Sequence, residues 1–110
     1  MSPVTLKLKQ GEFIGQEYRL GKFQIFKGVP FAEPPTGPNR WLPPKSVNNW
    51  NVPKKGKNRT PQCPQIVGTR QDYSKMENAG LMSEDCLYMD IWRPAKGYHS
   101  KLPILIWIHG

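Results

Sequence analysis

The sequence predicts a sheet-based fold in which a small antiparallel sheet leads into the first strands of a larger parallel or mixed sheet. Residues 4–9 alternate between apolar and polar side chains, which is the period of a half-buried strand. Residues 30–64 contain too many prolines for a helix or a central strand. Residues 102–108 form a continuous apolar run, which is typical of a strand covered on both faces.

The first thirty residues predict a meander of three short strands. Val4, Leu6 and Leu8 share one face of the first strand, and a turn at Gly11 ends it. The second strand is expected within residues 12–20, and Gly21 separates it from a third strand over residues 22–29. Short strands with glycine between them favour antiparallel neighbours.

An extended, proline-rich segment follows, and we expect it to be ordered because large apolar residues recur in it. These expected anchors are Phe31, Trp41, Leu42 and Trp50. Residues 66–78 are polar and ambiguous, between a loop and a helical turn. Residues 87–92 predict another strand, and a loop over residues 94–101 then leads to the apolar strand.

The apolar strand predicted at residues 102–108 indicates that the domain is larger than this chain. As the last element of a domain it would be a bare, flat edge that invites aggregation. With 37% apolar residues, twelve prolines and ten glycines in 110 residues, the chain also predicts long connections and no self-sufficient core. We therefore interpret the sequence as the front part of a larger protein.

The net charge of +8 leaves two interpretations open. Five basic residues share a stretch without acids: Lys45, Lys54, Lys55, Lys57 and Arg59. A free-standing basic module that binds nucleic acid is one interpretation. A solvated loop is favoured, because no helical spacing or aromatic ladder accompanies the charges.

No apolar run approaches the roughly 20 residues of a membrane span, and the N-terminus lacks the apolar core of a secretory signal.

Four motifs, in order, carry a resemblance to a known family. They are FKGVPFAEPPTGPNRW at residues 26–41, CPQ at 63–65, EDCLY at 84–88 and WIHG at 107–110. Together they resemble the N-terminal pattern of type-B carboxylesterases, the group that includes cholinesterases. Trp41 and Met89 are small departures that keep the apolar character. The resemblance implies an α/β fold, with residues 1–110 as the N-terminal part of a single α/β-hydrolase domain, ahead of its nucleophile elbow.

The resemblance implies hydrolysis of a small-molecule carboxylic ester by a serine, a histidine and a glutamate or aspartate, without a cofactor or metal. Family serines lie in a Gly-x-Ser-x-Gly turn. No serine here has that frame: Ser2, Ser46, Ser74, Ser83 and Ser100. His99 merely neighbours Ser100, which does not make a triad. We expect no catalytic residue and no activity in this chain alone. A catalytically silent adhesion or precursor homologue is the alternative.

His109 and Gly110 resemble the start of the family's glycine-rich oxyanion loop, whose donating N–H groups come just after Gly110. Cholinesterases also place a choline-binding tryptophan between the cysteines of their first disulfide. Residues 64–85 contain no tryptophan, so the cation–π support for choline esters is lost. A general carboxylesterase is the favoured interpretation.

The resemblance also implies two cross-links. Cys63 and Cys86 match the family's first disulfide, a closure of roughly 3 kcal/mol that points towards secretion or the ER lumen. Two buried thiols in a reducing compartment are the alternative. Arg40 and Glu84 match a family salt bridge, and loss of one buried partner would cost ~3–5 kcal/mol. Two exposed charges are the alternative there.

One modification sequence also occurs. Asn58-Arg59-Thr60 is a glycosylation sequon by pattern, although Pro61 follows it and secretion is not shown. The modified and unmodified states of Asn58 both remain open.

Overall fold

A computed structural model describes residues 2–65, 81–96 and 101–110. The predicted loop or helical turn at residues 66–78 and the adjacent His99 and Ser100 lie outside these described residues. The strands are β1 (Ser2–Leu8), β2 (Gly11–Tyr18), β3 (Phe23–Pro30), β4 (Lys54–Lys55) and β5 (Tyr88–Pro94). A single 3₁₀ turn, Gly37–Asn39, interrupts the proline-rich segment between β3 and β4 within the described part of the chain.

The five strands form one mixed sheet. The order β1-β2-β3-β5 is antiparallel throughout, and the short β4 runs parallel beside β2. The pairing of β3 with β5 shifts register between Phe26 and Val29. Gly28 lies in this irregularity with a φ of +69°, a backbone conformation that favours glycine. Its amide N–H, freed from the ladder, donates to Asp90 Oδ1 at 2.8 Å.

The core is small and lies on one face of the sheet. Phe13, Phe26 and Val29 are its buried centre, with exposed fractions of 1%, 0% and 5%. Partly buried residues surround them: Val4, Leu6, Leu8, Trp50 and Ile91. The alternation predicted for the first strand is confirmed, because its apolar residues are half-buried and the residues between them are exposed.

The proline-rich segment is held mainly by its backbone and by one tryptophan. Glu33 N–H donates to Lys45 O at 2.9 Å, which closes a long loop within the segment. Trp50 is the anchor to β2, since its indole Nε1 donates to Glu12 O at 2.8 Å. The expected anchoring by the other large apolar residues is wrong. Phe31, Trp41 and Leu42 are 51%, 96% and 52% exposed, because no described element packs over them.

The apolar strand predicted for residues 102–108 is not formed in the described chain. No strand pairing involves residues 101–110 in the described chain, and all ten residues are exposed. The exposed fractions of Ile104 and Trp107 are 87% and 86%. A strand exists only when a neighbour accepts its backbone hydrogen bonds, and no described strand does so for this segment. No helix among the described residues is long and apolar enough to cross a membrane.

Candidate functional site

A disulfide joins the end of the proline-rich segment to the approach to β5. Cys63 and Cys86 are bonded, with their Cα atoms 5.2 Å apart and a sequence separation of 23. The expected pairing is therefore confirmed. A short parallel bridge lies beside it, in which Gln62 N–H donates to Leu81 O and Ser83 N–H donates to Gln62 O, both at 3.1 Å. The disulfide and the backbone hydrogen bonds therefore link the same two regions of the chain.

A salt bridge forms a second link between the same two regions. Arg40 follows the 3₁₀ turn, and its Nη2 donates to Glu84 Oε2 at 2.5 Å. The two side chains are 52% and 45% exposed, so the expected burial of this pair is wrong. An exposed pair contributes about 0.2–1 kcal/mol, well below the value expected for a buried one.

Tyr88, at the start of β5, lies in a cluster that the sequence reasoning missed. Its hydroxyl donates to Asp85 Oδ1 at 2.8 Å. Lys57 Nζ donates to the same hydroxyl at 3.5 Å and lies 4.7 Å from the ring centroid. Burial, then the hydrogen bond and charge of Asp85, then the charge of Glu33 raise the pKa of Tyr88 to about 12. The phenol is therefore protonated at neutral pH and acts here as a donor that fixes Asp85.

Two lysines of the basic stretch lie over aromatic rings. Lys54 Nζ lies 4.4 Å from the ring centroid of Trp50, and Lys57 stacks on Tyr88 as described. All five basic residues of the stretch are exposed. Two of these charges therefore cover rings of the chain itself, where cation–π contacts at exposed sites contribute about 0.5–1 kcal/mol each. The two aromatic residues are far apart in sequence, which is why no ladder was visible.

His109 and Gly110 follow the apolar run of residues 102–108, and both are exposed. His109 Nδ1 lies 3.0 Å from the carbonyl oxygen of Gly110. The described residues bring no serine, histidine and carboxylate together into a triad, and none of their His, Cys, Asp and Glu side chains form a group that could hold a metal ion. The asparagine of the sequon, Asn58, is exposed three positions after the end of β4.

Comparison with known proteins identifies the family. The Carboxylesterase family profile matches residues 2–110. Carboxylesterase 1D of Rattus norvegicus is 36% identical over 120 residues, covering 99% of this chain and 21% of its own length. A probable cholinesterase of Acanthamoeba polyphaga mimivirus is 40% identical over 89 residues, covering 79% of this chain and 15% of its own length. A solved PNB esterase structure has a TM-score of 0.70 and 28% identity, covering 84% of this chain and 18% of that one.

These matches show that the chain belongs to the carboxylesterase family. The fold class predicted from the motifs, an α/β-hydrolase represented by its antiparallel strands, is confirmed. The chain spans about a fifth of the length of the curated relatives it matches.

Proposed function

We propose that this chain is the N-terminal part of a single domain that hydrolyses carboxylic esters. The observation that carries the proposal is the family match over residues 2–110, which includes all four motifs. The triad would lie on chain beyond these residues, since no Gly-x-Ser-x-Gly occurs in the printed sequence. The 110 residues alone would then turn over no ester.

The part of this chain closest to the chemistry would be His109-Gly110. Backbone N–H groups just after Gly110 would donate to the oxygen that becomes negative in the tetrahedral intermediate. His109 would then be a packing residue at the end of the apolar segment and would take no part in proton transfer.

The disulfide and the salt bridge would give this front part its fixed shape. Both cross-links join residues 40–63 to residues 84–86, just before β5 starts. β5 would then begin next to a covalent cross-link. The residues of both cross-links would therefore act by positioning, without contacting a reacting atom.

The substrate would be a general carboxylic ester and not a choline ester. This choice is supported by the absence of tryptophan between Cys63 and Cys86, where a quaternary ammonium would need a π-face. The test compares a choline ester with its neutral 3,3-dimethylbutyl isostere in the longer protein encoded by the same reading frame. Similar kcat/KM values for both support the proposal, and a strong preference for the charged ester contradicts it.

The hydrolase proposal itself is tested with a chromogenic ester and a serine-directed phosphonate. We expect the longer protein to turn over the ester and to be labelled on a serine outside residues 1–110, while the 110-residue chain does neither. Phosphonate-sensitive turnover by the 110-residue chain would overturn the assignment of the nucleophile. A longer protein that takes no label would instead identify a catalytically silent relative.

A further inference from the structure

We propose that the turn between β2 and β3 docks on an anionic lipid surface. The docking surface consists of residues 19–22, which form the hairpin tip, together with Phe23, Trp92 and Lys96 beside it. The proposal is independent of ester hydrolysis, because a catalytically silent relative with these residues would bind lipid in the same way.

Leu20 projects into solvent from a backbone conformation that is unfavourable for leucine. Its exposed fraction is 105%, and its φ is +53°, between +49° at Arg19 and +77° at Gly21. Left-handed residues of this kind are costly for L side chains, and glycine or asparagine would reduce the cost. The turn nevertheless presents a large apolar side chain to the outside, as expected of a side chain that contacts a partner.

Hydrogen bonds hold the hairpin tip in place. Lys22 N–H donates to Tyr18 O at 3.1 Å, which closes the turn. Ala95 N–H donates to Lys22 O at 2.9 Å, which ties the turn to the end of β5. Both backbone groups of Lys22 are therefore satisfied within the chain, as an approach to hydrocarbon requires.

Two large rings lie on the outer face of the sheet, next to the tip. Phe23 begins β3 and is 43% exposed, and Trp92 on β5 is 60% exposed. Phe23 pairs with Tyr18 and Ile25 pairs with Trp92, so these four side chains share the face opposite the buried Phe26. Tryptophan and tyrosine rings concentrate at the boundary between lipid headgroups and hydrocarbon. The outer face therefore continues the apolar surface of the tip.

Three cations surround this apolar surface. Arg19 and Lys22 lie in the turn itself, and Lys96 follows the residue that bonds to it. All three are exposed, and none forms an ion pair within the described part of the chain. The carboxylate of Glu17 also lies against the turn, 3.5 Å from the position of a Cβ on Gly21. Three cations beside one carboxylate leave a local positive charge that complements anionic headgroups.

The same charges indicate that this end of the sheet faces out of the domain. Burying a cation without a partner is far more costly than leaving it in water. A further element of the domain packed over the tip would enclose Arg19, Lys22 and Lys96 together. A lipid surface instead covers the apolar side chains and leaves the cations among the headgroups.

Leu20 favours lipid over a single-stranded nucleic acid, which also combines basic and aromatic contacts. An aliphatic side chain offers no π-face on which a base could stack. At a membrane, by contrast, apolar insertion and basic charge act together, whereas either one alone gives weak binding. The docking surface supplies both kinds of contact.

The test measures cosedimentation of the protein, expressed from its complete reading frame, with lipid vesicles. One set consists of phosphatidylcholine, and the other is an equimolar mixture of phosphatidylcholine and phosphatidylserine. We expect binding to the mixed vesicles, which weakens as salt is added because the charges are screened. Binding to neither set, or equal binding to both, overturns the proposal.

Leu20→Asn is the decisive variant, because asparagine suits a left-handed residue and removes the apolar side chain. It should fold as well as wild type, while vesicle binding weakens about tenfold. Leu42→Asn is the matched control, since Leu42 is 52% exposed in the proline-rich segment beyond the other end of β3, and it should bind as wild type does. A Leu20→Asn protein that binds as tightly as wild type contradicts insertion of the tip.

A pair of lysine variants tests the location of the charge. Lys22→Gln should weaken vesicle binding about fivefold, because it removes one cation near the surface. Lys45→Gln removes the same charge from the proline-rich segment and should have a clearly smaller effect. Equal losses in the two variants would indicate attraction to net charge alone and contradict a defined docking surface.

Tryptophan fluorescence identifies which face meets the lipid. Brominated acyl chains quench only rings that reach them, so Trp92→Phe should remove most of the quenching. Trp41 and Trp107, which are 96% and 86% exposed, are the competing contacts. Quenching that persists in Trp92→Phe overturns the assignment to this face. Binding of a single-stranded oligonucleotide that Leu20→Asn leaves unchanged, without binding to vesicles, would identify nucleic acid as the partner instead.

Discussion

Gly15 of β2 lies directly against the ring of Phe26 on β3. A Cβ built on Gly15 would stand 2.4 Å from Phe26 Cδ1 and 2.5 Å from the carbonyl oxygen of Ile25. Both distances are too short for any real Cβ, and one of the atoms is backbone that cannot rotate away. Gly15 therefore sets how closely β2 and β3 approach above the core.

This contact predicts that Gly15→Ala destabilises the sheet. Because Phe26 is fully buried, its ring must move into occupied space, and overpacking of this kind costs about 1–3 kcal/mol. Urea denaturation measures the change in the free energy of unfolding. Gly37→Ala is the control, since nothing lies within 4 Å of a Cβ there and only its φ of +55° is unfavourable for alanine. Equal losses in both variants would contradict the packing argument.

The disulfide gives a second prediction. Replacing Cys63 and Cys86 by alanine should lower the free energy of unfolding by about 3 kcal/mol, because the open chain gains the entropy of a loop with a 23-residue separation. Reduction of the wild-type chain should give the same loss, and the reductant should leave the double variant unchanged. A reduced chain as stable as the oxidised one would contradict the loop-entropy argument.

The Arg40–Glu84 pair predicts a weak coupling. In a double-mutant cycle with Arg40→Ala and Glu84→Ala, the coupling energy should be about 0.2–1 kcal/mol, because both side chains are about half exposed. It should also fall as salt is added, since exposed charges are screened. A coupling of ~3 kcal/mol or more that resists salt would mean that the pair is buried in the working protein.

Local sequence patterns predicted the strands well, but they could not predict contacts between residues that are distant in sequence. The alternation of Val4, Leu6 and Leu8 reports which face is buried, because a strand has a period of two. The pairing of Lys54 and Lys55 with β2 left no such trace, since it depends on a parallel approach from forty residues away. The apolar character of residues 102–108 predicts a strand but says nothing of the neighbour that must pair with it.

The same limit applies to the candidate site. The motif around Glu84 and Cys86 identified the salt bridge and the disulfide through family resemblance, because both positions fall within the quoted motifs. The degree of exposure of Arg40 was not visible in any motif, since burial depends on what packs over it. Tyr88 lies in the same motif as its partner Asp85, yet its other partner, Lys57, comes from a distant loop that only the fold brings to the ring.

The last prediction concerns the ionisation of Tyr88. Its pKa is raised from 10.0 to about 12, first by burial and then by Asp85. Absorbance of the phenolate in a pH titration should therefore show a component that ionises late, and Tyr88→Phe should remove that component. Asp85→Asn should lower the pKa of Tyr88 because it removes the negative charge, although burial keeps it above 10.

The raised pKa also fixes the sign of the pH dependence of stability. The folded chain holds the phenolic proton more tightly than the unfolded chain, so the stabilisation is fully present below pH 10. It is lost as the pH rises from 10 towards 12, because the unfolded chain ionises first. Lysines titrate in the same range, so the difference in unfolding free energy between wild type and Tyr88→Phe isolates this group. A difference that is constant from pH 8 to 12 would show that folding does not perturb Tyr88.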